Sequence, residues 1–332
     1  MRRLLGRAFG GLASLRVLAY RRGLLPRARL ASPVISVGNL GVGGSGKTPV
    51  VARVAEILRD AGQPVAVLSR GYGGRFSGDA LVVSDGKAVL AGASEAGDEP
   101  VMLARGLPGV VVAVGPRRDV VGRAVEARFG RRVHVLDDGF QHLRLERDLD
   151  LVCLDVHDLE DSPMPAGRLR ESPSAIGRAD VVLLTRLEAA SEAEIRGLEA
   201  RLGPDRTFRV ARRVEGWRTL DGKPATPPAR PFLLAAIARP ERFERDVAGD
   251  GVAVVGRRFF RDHHRFGAED LAGVEAQARA AEADAVVTTA KDAVRLEGST
   301  LGLPVLVLAI AALIADEGRL RERLLSAVGR AA

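Results

Sequence analysis

Residues Gly41, Val42, Gly43, Gly44, Ser45, Gly46, Lys47 and Thr48 spell the phosphate-binding pattern G-x-x-x-x-G-K-[ST], and this octet constrains the fold more than any other stretch. Its letters follow from its chemistry. Glycines let backbone N–H groups turn inward around phosphates, the lysine reaches the β/γ oxygens, and the threonine hydroxyl sits on Mg²⁺. The chain is rich in glycine but holds only four lysines, Lys47, Lys87, Lys223 and Lys291, so about 0.004 chance matches are expected from its composition. The flanks agree. Pro33 to Val37 is a short β-branched run of buried-strand type, and Pro49 to Asp60 carries apolar residues at helical spacing before Gly62. Strand, loop and helix is the order that places a helix N-terminus on the phosphates.

Composition narrows the class. With 332 residues, 46% hydrophobic and 28% charged, the chain suits one large or two ordinary soluble domains. A single cysteine, Cys153, excludes an internal disulfide and a cysteine-based zinc site; it lies in an apolar run, as a buried structural thiol would. The net charge of +8 is concentrated: residues 1–30 hold eight arginines and no acid, and beyond them 42 basic residues balance 42 acidic ones. A nucleic-acid partner is therefore not expected, and no obligate protein partner is inferred. On a helical wheel Leu4, Leu5, Ala8, Phe9, Leu12, Leu15 and Leu18 share one half, opposite Arg2, Arg3, Arg7 and Arg21. Residues 1–30 thus read as a basic amphipathic region suited to an anionic membrane surface. No stretch is long enough to span a bilayer.

From residue 31 onward, strand-like runs (64–68, 110–114, 133–136, 149–154, 181–184) alternate with helical ones (99–106, 119–129, 191–202). This alternation predicts an α/β fold with a P-loop NTPase-like, mainly parallel sheet over 31–207. Residues 208–228 read as an extended two-stranded linker. Residues 229–312 read as a second, smaller α/β domain, with strands at 232–237, 252–255, 285–288 and 303–308. A last helix over 313–332 is placed to return to the core.

Chemistry-bearing groups collect after the predicted strands. Asp137 and Asp138 end a strand as a Walker B acid does, to hold Mg²⁺, and Gln141 and His142 follow them. Asp98 and Glu99 open a helix: they are a capping pair, or a base and a metal ligand. Asp262, His263 and His264 form a cluster in the second unit; adjacent histidines on extended chain point opposite ways, which argues against zinc. Arg70 with Tyr72, Arg117 with Arg118, and Arg168 with Arg170 are placed to clamp phosphates.

Taken in order, the segments SVGNLGVGGSGKT (36–48), SRGYGG (69–74), GDEP (97–100), GPRRD (115–119), LDDGFQH (136–142), MPAGRLRES (164–172), FFRDHH (259–264) and TTAKDAVR (288–295) closely resemble the tetraacyldisaccharide 4′-kinase family through most of the chain. Met164 and Ser172 depart from its usual Leu and Pro. The resemblance implies a P-loop core and a smaller C-terminal domain with the active site between them. It implies ATP and Mg²⁺, an acylated glucosamine disaccharide 1-phosphate as acceptor, and peripheral attachment at the cytoplasmic face of the inner membrane through the N-terminal helix. It further implies Asp98 as base toward the 4′-hydroxyl, supported by His263. The expected site is then Lys47 and the loop amides on phosphates, Thr48 with Asp137, Asp138 and Glu99 on the metal, and Arg170 on the transferring group. Arg70, Tyr72, Arg118, Gln141 and His142 are expected near the acceptor. The alternative is a P-loop NTPase switch or assembly factor docking on a membrane or partner, which would need no acceptor.

Overall fold

The computed structural model describes residues 2–43 and 46–331, with residues 2–4 and 7 given by backbone alone. Gly44 and Ser45 of the expected phosphate loop, and the side chains of Arg2, Arg3, Leu4 and Arg7, lie outside the described residues. Helix α1 (Arg2–Arg21) leads into an alternation of β1 (Val34–Asn39), α2 (Lys47–Asp60), β2 (Val65–Ser69), β3 (Leu81–Asp85), α3 (Ala93–Ala96), α4 (Asp98–Gly106), β4 (Val111–Val114), α5 (Arg118–Phe129), β5 (Val133–Asp137), β6 (Leu149–Asp155), β7 (Val181–Thr185) and α6 (Glu192–Leu202). The second half continues with β8 (Thr207–Thr219), β9 (Pro224–Ala225), β10 (Pro231–Ala235), α7 (Pro240–Gly249), β11 (Gly256–Phe259), α8 (Ala268–Ala280), β12 (Ala285–Thr289), α9 (Ala290–Arg295), β13 (Val305–Ile314) and α10 (Glu317–Ala331).

These strands form one continuous sheet in the order β11-β10-β12-β13-β8-β7-β6-β1-β5-β2-β4-β3, with β9 beside β8. The pairings are parallel except β3–β4, β8–β13 and β8–β9. β1, β2, β4, β5, β6 and β7 are buried at every position. Strands covered on both faces need such unbroken apolar runs, and this is why they were legible as strands.

β8 joins the two halves. Its start pairs parallel with β7 (Val182 to Thr207), and the rest runs antiparallel to β13, from Ile314 against Val210 to Leu306 against Thr219. α10 then packs back on α2: Leu320, Leu324, Ala327 and Val328 join the core cluster containing Val50, Val51 and Val54. Above it, Arg53 donates to both Glu317 oxygens at 2.7 and 2.6 Å.

One strand differs from the sequence expectation. Val252 to Val255 precede the strand, and Gly256–Phe259 is the segment that pairs with β10. β11 is the edge strand, so Arg257 faces outward from it, while Val252, Val254 and Val255 pack as partly buried side chains beneath. Apolar content there tracks burial, not ladder bonding.

α1 docks by its small residues. A Cβ on Gly6 would lie 2.7 Å from the Pro163 carbonyl oxygen, and Gly10 meets the Pro163 ring. The close approach turns the bulky side outward, leaving Leu5, Phe9, Leu12, Leu15 and Leu18 exposed. Among the described residues no helix is long and apolar enough to cross a membrane.

Candidate active site

The carboxyl ends of β1, β5, β2 and β4 lie side by side in the sheet, where parallel α/β sheets bind ligands. β1 ends at Asn39, and the chain turns through Gly46 (φ 76°) into α2, whose first residue is Lys47. Lys47 Nζ donates to Asn39 Oδ1 at 3.0 Å and forms an ion pair with Asp138. Asp138 takes Arg170 Nη1 on its other oxygen at 2.7 Å. Gln141 Nε2 donates to the Asn39 carbonyl oxygen at 2.9 Å, and its Oε1 lies 3.4 Å from Arg170 Nη1. Thr48 follows, half-buried, in the first turn of α2.

The two adjacent aspartates differ electrostatically. Burial would raise Asp138, but Lys47 and Arg170 outweigh it and hold its carboxyl down at about 2. Asp137, the last residue of β5, accepts from Ser69 Oγ at 2.8 Å. Burial pushes its carboxyl up to about 6, Lys47 opposes this, and Glu99 adds to it. Asp138 is thus over-compensated by cations and Asp137 is under-compensated. Asp138 also has φ 56°, a left-handed conformation that Asp tolerates better than most residues.

Glu99 links this cluster to a second one. Asp98 and Glu99 occupy the first turn of α4 behind Gly97, which has φ 88° and whose added Cβ would lie 2.3 Å from the Tyr72 carbonyl oxygen. Only glycine fits there, so the 71–74 loop is seated against the start of α4. Asp98 Oδ2 meets the second half of the molecule: Arg295 Nε at 2.9 Å, Arg295 Nη2 at 2.5 Å and His263 Nδ1 at 3.4 Å. Lys291 Nζ lies 3.4 Å from Glu99 Oε1, 3.5 Å from Asp262 Oδ1 and 3.3 Å from His263 Nε2. Arg295 and Lys291 had no assigned role in the sequence reading. The signals were present in the TTAKDAVR segment and in the scarcity of lysine, but nothing local ties α9 to α4. His264 faces elsewhere, stacking on Phe260 (centroids 4.6 Å apart) and bonding Asp270 at 2.8 Å.

The five residues expected near the acceptor are divided. Arg70 and Tyr72 line a cavity of about 390 Å³ with Phe76, Ser77 and Pro116. The exposed Tyr72 ring meets His263 edge-on at 5.7 Å. Arg118 is 5% exposed, its Nε without a partner and its Nη1 on the Pro116 carbonyl oxygen at 3.3 Å. Burial lowers its pKa, Asp137 and Asp138 resist this, and Arg70 adds to it, so Arg118 lies in the field between the cavity and the aspartates. Gln141 is engaged in the Lys47 cluster. His142 is half-buried with Nε2 unpartnered, and burial together with Arg118 pushes its imidazole down to about 4.

Residues 2–329 match the family model described as tetraacyldisaccharide-1-P 4′-kinase, LpxK. The chain belongs to this family. Tetraacyldisaccharide 4′-kinase of Anaeromyxobacter dehalogenans (strain 2CP-C) is 45% identical over 300 residues, covering 87% of this chain and 79% of that one. The Geobacter metallireducens enzyme is 42% identical over 289 residues, covering 85% and 84%. The crystal structure of Aquifex aeolicus LpxK in complex with ATP superposes with a TM-score of 0.81 at 30% identity, covering 98% of this chain and 97% of that one. The P-loop NTPase-like α/β class and the kinase reading therefore hold: this 4′-kinase family member is a phosphotransferase with an alcohol acceptor, a lipid A precursor. The switch or assembly-factor alternative falls away.

Proposed function

We propose that the chain transfers the γ-phosphoryl group of ATP directly to the 4′-hydroxyl of a tetraacyldisaccharide 1-phosphate, in line, at the seam where α4 meets α9. One observation carries this reading: Asp138 pairs with Lys47, its neighbour Asp137 takes the Ser69 hydroxyl, and Ser69 leads into the 71–74 loop against which the Asp98–Glu99 turn is seated, so the phosphate loop and that turn serve one reaction centre. Lys47 and the amides around Gly41, Val42, Gly43 and Gly46 hold the β/γ-phosphates; incoming phosphate oxygens replace Asp138 as partners of Lys47. Asp98 accepts the proton of the attacking hydroxyl. Arg170, already beside Asp138, offsets charge on the transferring group, and positioning with charge stabilisation supplies most of the rate. Arg70, Tyr72 and Arg118 hold the acceptor beside Asp98, with His142 behind Arg118.

Mg²⁺ fits the donor set. Among the described residues no three acidic, histidine or cysteine side chains form a ready-made cage. However, Asp137 is a buried carboxylate pushed up beside Glu99, a deficit of positive charge that a divalent cation with hard oxygen ligands would fill. Thr48, Asp137, Asp138 and Glu99 are the residues to hold it. When bound, the ion would neutralise the phosphate oxygens.

The acceptor is a lipid, and α1 faces outward with Leu12 at 67% and Leu15 at 63% exposure. These exposed leucines support a peripheral attachment in which this side of α1 lies in a membrane surface; the side proposed is the cytoplasmic face of the inner membrane. The test is ADP release with and without an acylated disaccharide 1-phosphate, together with analysis of the glycolipid. Acceptor-dependent turnover and one new phosphate monoester are expected; release indifferent to the glycolipid would sink the proposal.

A further inference from the structure

Arg295 has no part in the chemistry above, yet it is the most completely engaged side chain at the seam. Its side chain is 5% exposed, and a buried guanidinium must be paired. Four of its five N–H donors meet an oxygen acceptor and the fifth lies against His263. Nη1 reaches the Ala236 carbonyl oxygen at 3.0 Å and Asp292 Oδ1 at 2.8 Å. Nε and Nη2 both reach Asp98 Oδ2, and Nη2 also lies 3.3 Å from His263 Nδ1. The counter-charge is fixed as firmly: Asp292 is fully buried and its Oδ2 accepts from the Ala236 amide at 3.0 Å and from Thr289 Oγ1 at 2.9 Å.

Two asymmetries give this fork a purpose. Both of its bonds to Asp98 fall on Oδ2, whereas a guanidinium paired only for strength takes one carboxylate oxygen with each nitrogen. Among the described residues nothing donates to Asp98 Oδ1, and the Asp98 side chain keeps 17% of its exposure. Second, Arg295 and Lys291 flank the two ring nitrogens of His263, at Nδ1 and Nε2. Both side chains carry only donors and a neutral imidazole has one acceptor nitrogen, so only one of the two contacts is a hydrogen bond. With Nδ1 3.3 Å from Arg295 and 3.4 Å from Asp98, His263 stands beside both members of the pair, and Arg295 alone makes the short contacts to Asp98.

We propose that Arg295 is the positioning residue for the base: by holding Asp98 through Oδ2 it presents Oδ1 to the acceptor hydroxyl. This rests on the reading of Asp98 as base. It also ties base orientation to the seating of the second half of the molecule, because Asp98 and Arg295 are 197 positions apart in the chain. Lysine in place of Arg295 would supply one charge but no fork.

The test uses steady-state transfer from labelled ATP to the glycolipid, with the full chain and each variant. Arg295→Gln should lower kcat by about 100-fold, the scale of a misplaced catalytic group, and leave both KM values within about threefold. Arg295→Lys should recover only part of the loss. In an Asp98→Asn background, Arg295→Gln should cost less than about threefold more, because the two act as a unit. Arg295→Gln/Asp292→Asn removes the buried charge together with its counter-charge; it keeps a folded protein and should show the same kcat loss if Arg295→Gln alone unfolds. An equal loss with and without Asp98, a change in KM only, or an unchanged or increased kcat overturns the proposal; an increase would mark the pair as a brake. Undiminished kcat in Asp98→Asn alone breaks the base reading instead, and is seen in a different variant.

Discussion

The two sides of the reaction centre are built differently. The phosphate side takes Asn39, Lys47, Asp138, Gln141 and Arg170 from strand ends and loops of one half of the sheet, and they bond to each other directly. The base side takes Asp98 and Glu99 from that half but their partners His263, Lys291 and Arg295 from the other. The first lies wholly within one half, beside the fully buried strands β1 and β5. The second exists only while α9 is seated on α4, and the surface pair at its rim, Arg105 with the exposed Glu297, adds little to that seating. With the proposed roles, the phosphate grip belongs to one half and the base is assembled across a joint, so nucleotide should bind without the base being in place.

The sharpest way to break this comparison is to remove one group from each side. Asp98→Asn should lower turnover on the order of 10³-fold, the middle of the range for a general base, with ATP affinity within about twofold of the parent. Lys47→Ala should lose turnover and nucleotide affinity together. Isothermal titration with ATP beside the acceptor assay distinguishes them; if Asp98→Asn weakens ATP binding as much as Lys47→Ala, the two sides are one unit and the comparison fails.

A second experiment tests whether the phosphate side is truly self-contained. α10, from the far end of the chain, closes the core over α2, and Leu324 within it is fully buried. Leu324→Ala should destabilise the protein by about 3 kcal/mol, as deletion of a well-packed leucine does, with a matching fall in melting temperature. A loss below about 1 kcal/mol would mean that α10 is a mere cover and the phosphate half stands without it.

The contrast between the two sides is also the contrast between what the sequence revealed and what it hid. β1, the loop and α2 are contiguous, so their spacing alone gave Lys47 and Thr48 their setting. The buried parallel strands announced themselves by unbroken apolar runs, and Asp137 and Asp138 by ending one of them. The edge strand β11 escaped because an edge carries Arg257 and Arg258 where a central strand would carry valines. Arg295 and Lys291 escaped for a different reason. A charged residue on a short helix carries no mark of a partner far off in sequence; the pairing is a product of topology, through β8 and β13, and not of local pattern. Gly6 and Gly10 likewise gave no hint that α1 would dock by its glycines, although its outward leucines are what the amphipathic reading required.

The under-compensated Asp137 gives a pH signature for the metal side. Its folded carboxyl is raised to about 6 from an ordinary value of 3.8. Between these values the folded state holds a proton that the unfolded state has released. Its contribution is therefore present below about 4, falls as pH rises and is gone above about 6, a swing of about 1–3 kcal/mol. His142 acts oppositely: lowered to about 4 from 6.5, it is protonated only in the unfolded chain within that window, and stability rises with pH there. Denaturant midpoints from pH 4 to 7 for the parent, Asp137→Asn and His142→Asn separate the two. Asp137→Asn should remove the falling part and His142→Asn the rising part. Parallel curves for parent and Asp137→Asn would show that Asp137 titrates alike in both states, and with that the case for a metal at Asp137 would weaken.

The smallest effect should come from the surface that touches neither side. Leu12 and Leu15 are largely exposed, so replacing both with serine should leave melting temperature and ATP affinity nearly unchanged. What they should change is adsorption: two leucines withdrawn from an interface cost about tenfold in partition onto anionic vesicles. The flanking arginines should make the remaining binding fall with added salt. Turnover on detergent-dispersed acceptor should be normal, while turnover on vesicle-bound acceptor should fall with adsorption. Unchanged vesicle binding in the Leu12→Ser/Leu15→Ser variant would remove the apolar stripe as an anchor and leave charge alone to bring the base side to its lipid.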